Sequence, residues 1–120
     1  MQYYVVRSTI SEVTDAPGLR RANDPPVLIL TSLAGGAKHG HALLKDIESF
    51  AGVRLGAGAL YGAITRLEER GLIEPLESDD RRRPYQITPA GTHALARVMA
   101  EMRSLAEVGT ARLRLSWGVS

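Results

Sequence analysis

The sequence predicts a mainly α-helical fold with one small β-hairpin (α+β), and three observations carry that prediction. The first is residues 57–70, where Leu60, Ile64 and Leu67 fall at i, i+4 and i+7 with Ala63 between them, one stripe of an amphipathic helix. The second is Gly71, which offers a left-handed stop at no steric cost and is followed at once by the extended run beginning Leu72-Ile73. The third is a pair of strand-like segments, Leu72–Leu76 and Tyr85–Thr88, joined by the polar, arginine-rich loop Glu77–Pro84. A short helix, a glycine stop, an immediate strand and a wing-like hairpin together describe a winged helix-turn-helix. A long helix after the hairpin completes the order.

The chain has 120 residues, enough for one domain, or one small domain with an appended helix. Apolar residues make up 44% and aromatics only 5%, so a core is affordable but must be built from Leu, Ile, Val and Ala. A core of that size is marginal alone, and pairing with a second copy is a common remedy. The lack of cysteine removes disulfides, thiolate metal sites and cysteine nucleophiles together. No charged segment followed by an apolar run opens the chain, and no apolar run approaches the ~18 residues of a membrane helix, so the expected location is cytoplasmic, away from membranes. Net charge is only +2, with an isoelectric point near 9.3, so the placing of charge matters more than its sum. Arg81, Arg82 and Arg83 form the one run of three basic residues, and it lies between the two strand-like segments.

Taken in order, residues 1–24 form an arm or an extra helix: Tyr3–Val6 and Ser8–Ile10 are β-prone and Asp15–Gly18 is turn-like. The winged-helix unit spans 25–88. Asp24 stands as an N-cap before Pro25-Pro26, and Val27–Ala34 is apolar almost all round, which predicts a central buried helix stopped by Gly35-Gly36. A second helix runs from about His41 to Phe50, with Leu43, Leu44, Ile47 and Phe50 inward, Lys45, Asp46 and Glu48 outward, and Gly52 as its stop. After the link Val53–Gly56 comes the amphipathic helix and then the hairpin. Thr88-Pro89 starts the last helix with a capping hydroxyl and a proline in the first turn, giving a C-terminal unit over 89–117. Its Leu95, Val98, Met102 and Leu105 are spaced 3, 4, 3, a heptad seam; a helix of some 20 residues would expose it, and a second copy would bury it as a two-fold homodimer.

At this point the residues resemble the PadR family of winged-helix transcriptional regulators. The resemblance runs from Pro26 to about Leu105, through Leu28-Ile-Leu30, Lys38-His39-Gly40, Gly58-Ala-Leu-Tyr61, Arg66-Leu-Glu-Glu-Arg-Gly-Leu-Ile73, Arg82-Arg-Pro-Tyr85 and Ile87-Thr-Pro-Ala-Gly91. Three positions depart from the family pattern. His41 replaces the usual tyrosine, Gly62 a common proline, and Gly56-Ala-Gly58 a helix entry containing Ser or Thr, which forfeits a side-chain cap typically contributing ~1 kcal/mol. The short C-terminus is like the single-helix subgroup.

What the resemblance implies is a DNA-binding regulator. The helix 57–70 would lie in a major groove, with Gly58, Ala59, Tyr61, Gly62, Thr65 and Arg66 toward double-stranded DNA. Arg81, Arg82 and Arg83, with Tyr85 beside them, would reach the phosphate backbone or minor groove, and Lys38 and His39 would meet phosphate at the start of the second helix. Plainer readings stand beside these: Tyr61 as a packed aromatic, Arg66 paired on the surface, His39 as structural, and the arginine run as a solvated loop that Asp79 and Asp80 partly neutralise. Some relatives bind flat aromatic compounds at their dimer interface; Met99 and Trp117 would line such an effector site, or simply pack. His39, His41 and His93 do not make a metal site, because residues at i and i+2 of a helix point apart and no carboxylate joins them at ligand spacing. No nucleophile motif, phosphate loop or paired carboxylate argues for an enzyme, and no cofactor is expected. The expected activity is sequence-specific repression at an inverted repeat; the alternative is a winged helix used as a protein-interaction or assembly module.

Overall fold

A computed structural model describes residues 24–78 and 81–117. The arm expected over residues 1–24 lies outside them, except for Asp24. Four helices and two strands follow in the order α1 (Pro25–Ala34), α2 (Gly40–Ala51), α3 (Ala57–Glu69), β1 (Ile73–Pro75), β2 (Tyr85–Ile87) and α4 (Pro89–Ser116). The fold is the expected mainly helical one with a two-stranded antiparallel hairpin.

Helix α1 is the hub. Leu28, Ile29, Leu30, Ser32 and Leu33 are all buried, so the helix is covered on several sides, by α2, α3, α4 and β2. Asp24 holds the N-cap position, but its side chain makes no capping bond; its carbonyl accepts from Leu28 at 3.0 Å. Pro25 and Pro26 need no intrahelical partners, which suits them to that first turn. Helix α2 begins one residue earlier than expected, at Gly40, and buries Leu43 and Ile47. Two expectations for it fail. Phe50 is 46% exposed: in the last turn of α2 it is Ala51, four residues after buried Ile47, that packs against the core, and Phe50 falls at the flank of the stripe. Asp46 turns inward, accepting a 2.6 Å hydrogen bond from the hydroxyl of buried Ser32, the one polar side chain in the core of α1.

Helix α3 buries the expected stripe of Leu60, Ala63, Ile64 and Leu67. Its entry at Gly56 has no side-chain cap. Its exit is a Schellman motif: Gly71 adopts φ 74°, its N–H meets the carbonyl of Glu68, and the N–H of Leu72 meets the carbonyl of Leu67, both at 3.0 Å. Only glycine takes that φ without strain, and the turn delivers Ile73, which is fully buried, straight into β1.

The hairpin pairs Ile73 with Ile87, Glu74 with Gln86 and Pro75 with Tyr85, and Leu76 N–H extends it to the carbonyl of Pro84 at 2.8 Å. The strands are shorter than expected, three residues each. On its other side β2 forms a bridge at Tyr85 with Lys38, through two backbone hydrogen bonds of 2.8 and 3.1 Å. The segment between α1 and α2 is therefore tied to the base of the wing.

Helix α4 has 28 residues, not some 20, and at 1.5 Å per residue is about 42 Å long. Gly109 does not interrupt it. Leu95 is 9% exposed and belongs to the same core as α1 and α3, with Met99 packed against it. This corrects the seam: Leu95 is spent inside its own chain, so the first turns of α4 are part of the winged unit. Beyond them Leu105 is 74% exposed, and Val108, Leu113, Leu115 and Trp117 are exposed with it.

Candidate nucleic-acid interface

The exposed face of α3 lies opposite its buried stripe. Gly58 and Ala59 open it, Tyr61 is 51% exposed, Gly62 is partly covered, and Thr65 and Arg66 are exposed. The spacing of 58, 61, 62, 65 and 66 places them on adjacent turns of one side. Helical side chains lean toward the N-terminus, and Arg66 does so here: a Cβ built on Gly62 would lie 3.5 Å from its Nη1. The missing side chain at 62 gives the guanidinium a lane along the helix toward its first turns. Arg66 makes no ion pair among the described residues, so the plainer reading of a surface pair is not what holds it. The Thr65 hydroxyl donates to the carbonyl of Tyr61 at 2.9 Å, which leaves its lone pairs for an incoming donor.

Tyr61 connects this face to α2. Its ring lies over Gly40, where an added Cβ would collide with the phenolic oxygen and stand 3.0 Å from Cζ. Gly40 is thus the residue that lets α3 come this close to the start of α2. No side chain caps that start, so first-turn N–H groups of α2 point out beside the Tyr61 hydroxyl. His39, at the N-cap, is partly covered, and its Nδ1 is buried with no hydrogen-bond partner.

Tyr85 joins the same place from the wing. It packs partly buried against the core, and burial first of all pushes its phenol pKa up from the ordinary value of 10.0. The negative charge of Glu68 and the neighbouring Tyr61 phenol push the same way, against Arg83, which pulls it down. A neutral phenol therefore sits among groups from α3 and from the loop. Arg81, Arg82 and Arg83 are all exposed on that loop.

Lys38 departs from its expected role. Its ammonium donates to the carbonyls of Ser32 at 2.6 Å and Gly36 at 3.1 Å, and stands 3.8 Å from the Asp46 carboxylate. It closes the C-terminal end of α1, where a cation is favoured by the aligned carbonyls. Two of its donors are used on internal carbonyls, with the Asp46 carboxylate close by, so the ammonium is engaged inside its own chain. Met99 likewise faces its own core, and Trp117 lies 18 residues further along α4, about 27 Å away at 1.5 Å per residue; within one chain the two share no pocket. Among the described residues no group of three or more His, Cys, Asp or Glu could hold a metal ion, and no helix is long and apolar enough to cross a membrane.

Two residues important to this surface carried no motif. The Ser32 carbonyl and the Asp46 carboxylate hold the Lys38 ammonium inside the chain. The signal for this pair was present in one form: a lone serine on an apolar helix needs a partner when buried.

The geometry has close counterparts. The profile of the Transcriptional regulator PadR-like family matches residues 29–97. A PadR family transcriptional regulator from Eggerthella lenta superposes with a TM-score of 0.66 at 26% identity, covering 94% of this chain and 96% of that one. A transcriptional regulator from Clostridium thermocellum gives 0.69 at 25% identity, over 80% of this chain and 95% of that one. An uncharacterized 37.1 kDa protein of transposon Tn4556 from Streptomyces fradiae is 47% identical over 85 residues, 71% of this chain. The match spans only 25% of that relative's length.

Proposed function

The chain belongs to the PadR-like family of transcriptional regulators, which are not enzymes, and from that premise we propose that it is a homodimeric, sequence-specific DNA-binding repressor. The observation that carries the reading is the shared surface of α3 and its neighbours. Tyr61 lies over the uncapped start of α2, and Tyr85 carries the influence of Tyr61 and Glu68 on α3 and of Arg83 on the loop, which supports reading the three elements as one surface. In a major groove, Gly58, Ala59 and Gly62 let the backbone approach closely, and Arg66 reaches along the helix as the base-reading cation. Tyr61, the first turn of α2 and Arg81, Arg82 and Arg83 hold phosphates and set register. With so few side chains to read bases, the shape and deformability of the duplex carry a large share of the specificity.

Dimerisation is supported by the distal half of α4, where Leu105, Val108, Leu113 and Leu115 are exposed among the described residues. Two recognition helices then stand about 34 Å apart, one turn of DNA, and the operator is an inverted repeat. Occupancy of promoter DNA excludes polymerase, which makes repression the proposed sign. A flat aromatic effector would act where the two α4 helices meet, near Trp117.

Footprinting on the DNA upstream of the protein's own reading frame tests this. Two protected half-sites with centres about 10 base pairs apart are expected. Absence of any retarded complex at ~50 mM salt, where phosphate contacts are strongest, would return the fold to the alternative of a protein-interaction module.

A further inference from the structure

One side chain bridges the joint between α3 and α4. The Thr88 hydroxyl donates to the carbonyl of Gly71 at 2.7 Å and accepts from the N–H of Gly91 at 3.0 Å, so one O–H group serves the end of α3 and the first turn of α4 at once. The Thr88 N–H adds a bond to the carbonyl of Leu72 at 3.1 Å. Gly91 is pressed into the same joint: a Cβ there would collide with the Leu72 carbonyl oxygen and stand 2.8 Å from Ile87 Cγ1. An N-cap needs only to accept from its own helix. This one also donates across the joint, to the left-handed residue that ends the recognition helix.

We propose that Thr88 is a positioning residue for DNA binding, locking α4 to α3 so that the course of α4 toward a second copy fixes the spacing of the two recognition helices. The inference rests on the DNA-binding dimer described above. Leverage explains why the lock matters. The first turn of α3 lies about 20 Å from its Gly71 end, at 1.5 Å per residue. A 10° rotation at the joint moves that turn about 3.4 Å, the rise of one base pair. A loose joint therefore blurs operator register by a full step, while leaving each α3 face intact.

The test uses the full chain and a half-site selected in vitro by the wild-type protein, placed as inverted repeats whose spacers differ by one or two base pairs. Wild type is expected to prefer one spacing by about tenfold, within the usual range of coupling between sites. Thr88→Asp keeps an acceptor for Gly91 and loses the donor to Gly71; it should flatten the preference to about threefold or less, with affinity for a single half-site changed by less than about twofold. Thr88→Ser, which restores the hydroxyl, should recover the wild-type profile. The proposal is overturned if Thr88→Asp keeps the sharp spacing preference, or loses half-site and repeat affinity in parallel, as a merely structural cap would. Wild type that binds no duplex at any spacing would instead overturn the DNA-binding reading on which it stands.

Discussion

Replacing Lys38 by methionine separates its two possible roles, because the substitution keeps the length of the stem and removes the charge and its donors. In the structure the ammonium bonds the Ser32 carbonyl at 2.6 Å in a partly buried setting, and the Gly36 carbonyl at 3.1 Å in an exposed one. Water can replace it at Gly36 but not readily at Ser32. Hydrogen bonds to charged groups contribute about 1.5–3 kcal/mol, and a cation at a helix C-terminus about 0.3–1. The Asp46 pair, at 3.8 Å with that side chain 39% exposed, adds well under ~1 kcal/mol after solvent screening. The expected loss for Lys38→Met is about 2 kcal/mol, or a Tm lower by roughly 8–15 °C for a domain of this size. Thermal unfolding followed by circular dichroism reads the first quantity. Duplex binding between ~50 and ~200 mM salt reads the second, and its slope should not change. A Lys38→Met protein with wild-type Tm and a salt slope reduced by about one unit would show that the lysine holds phosphate, and that its internal contacts are incidental.

The two ends of the α4 stripe should behave differently. Leu95→Ala empties a core position that is 9% exposed and should cost about 2–4 kcal/mol in urea unfolding. Leu105→Glu, at a position 74% exposed, should leave each chain folded within about 0.5 kcal/mol while sedimentation shows monomers; intact dimers would remove α4 as the pairing element. For Tyr85 the sign follows from the raised pKa: the folded state holds the phenolic proton longer, so stability is complete below the ordinary value of 10.0 and falls as pH rises above it. Tyr85→Phe should lose that component of the alkaline decline, measured by urea midpoints from about pH 8 to 11 around the ordinary tyrosine value.

Local pattern was sufficient for α3. Its apolar spacing, its glycine stop and the strand after it are set by neighbours within a few residues, and the Schellman geometry at Gly71 is the outcome. Helix α1 was equally legible, because an apolar surface on every side has to be buried. The side of α3 that carries Tyr61 and Arg66 followed directly from the stripe.

What escaped the sequence was decided by contacts distant along the chain. Lys38 sits beside a helix start, as a phosphate-binding lysine would, and only the carbonyl of Ser32 and the inward turn of Asp46 assign it to α1. The 3, 4, 3 spacing of Leu95 to Leu105 is the same whether a helix faces its own domain or a partner. Where α4 leaves the core, just beyond Met99, is a property of the fold. Phe50 has the right period for burial but falls at the flank of the stripe, where Ala51 beside it takes the core contact. Gly109 costs about 1 kcal/mol relative to alanine, too little to end a helix that continues for several residues on either side.

Whether α3 and the wing arginines form one DNA-binding surface is read from the salt dependence of duplex binding. The comparison is wild type against the Arg81→Ala/Arg83→Ala double variant, by fluorescence anisotropy on a labelled duplex carrying the selected inverted repeat. If both arginines meet phosphate, the double variant binds more weakly on every duplex, and the slope of log affinity against log salt falls by about two units per chain. A wild-type protein that leaves the duplex unbound at ~50 mM salt, or a double variant with an unchanged slope, would show that they form no such surface.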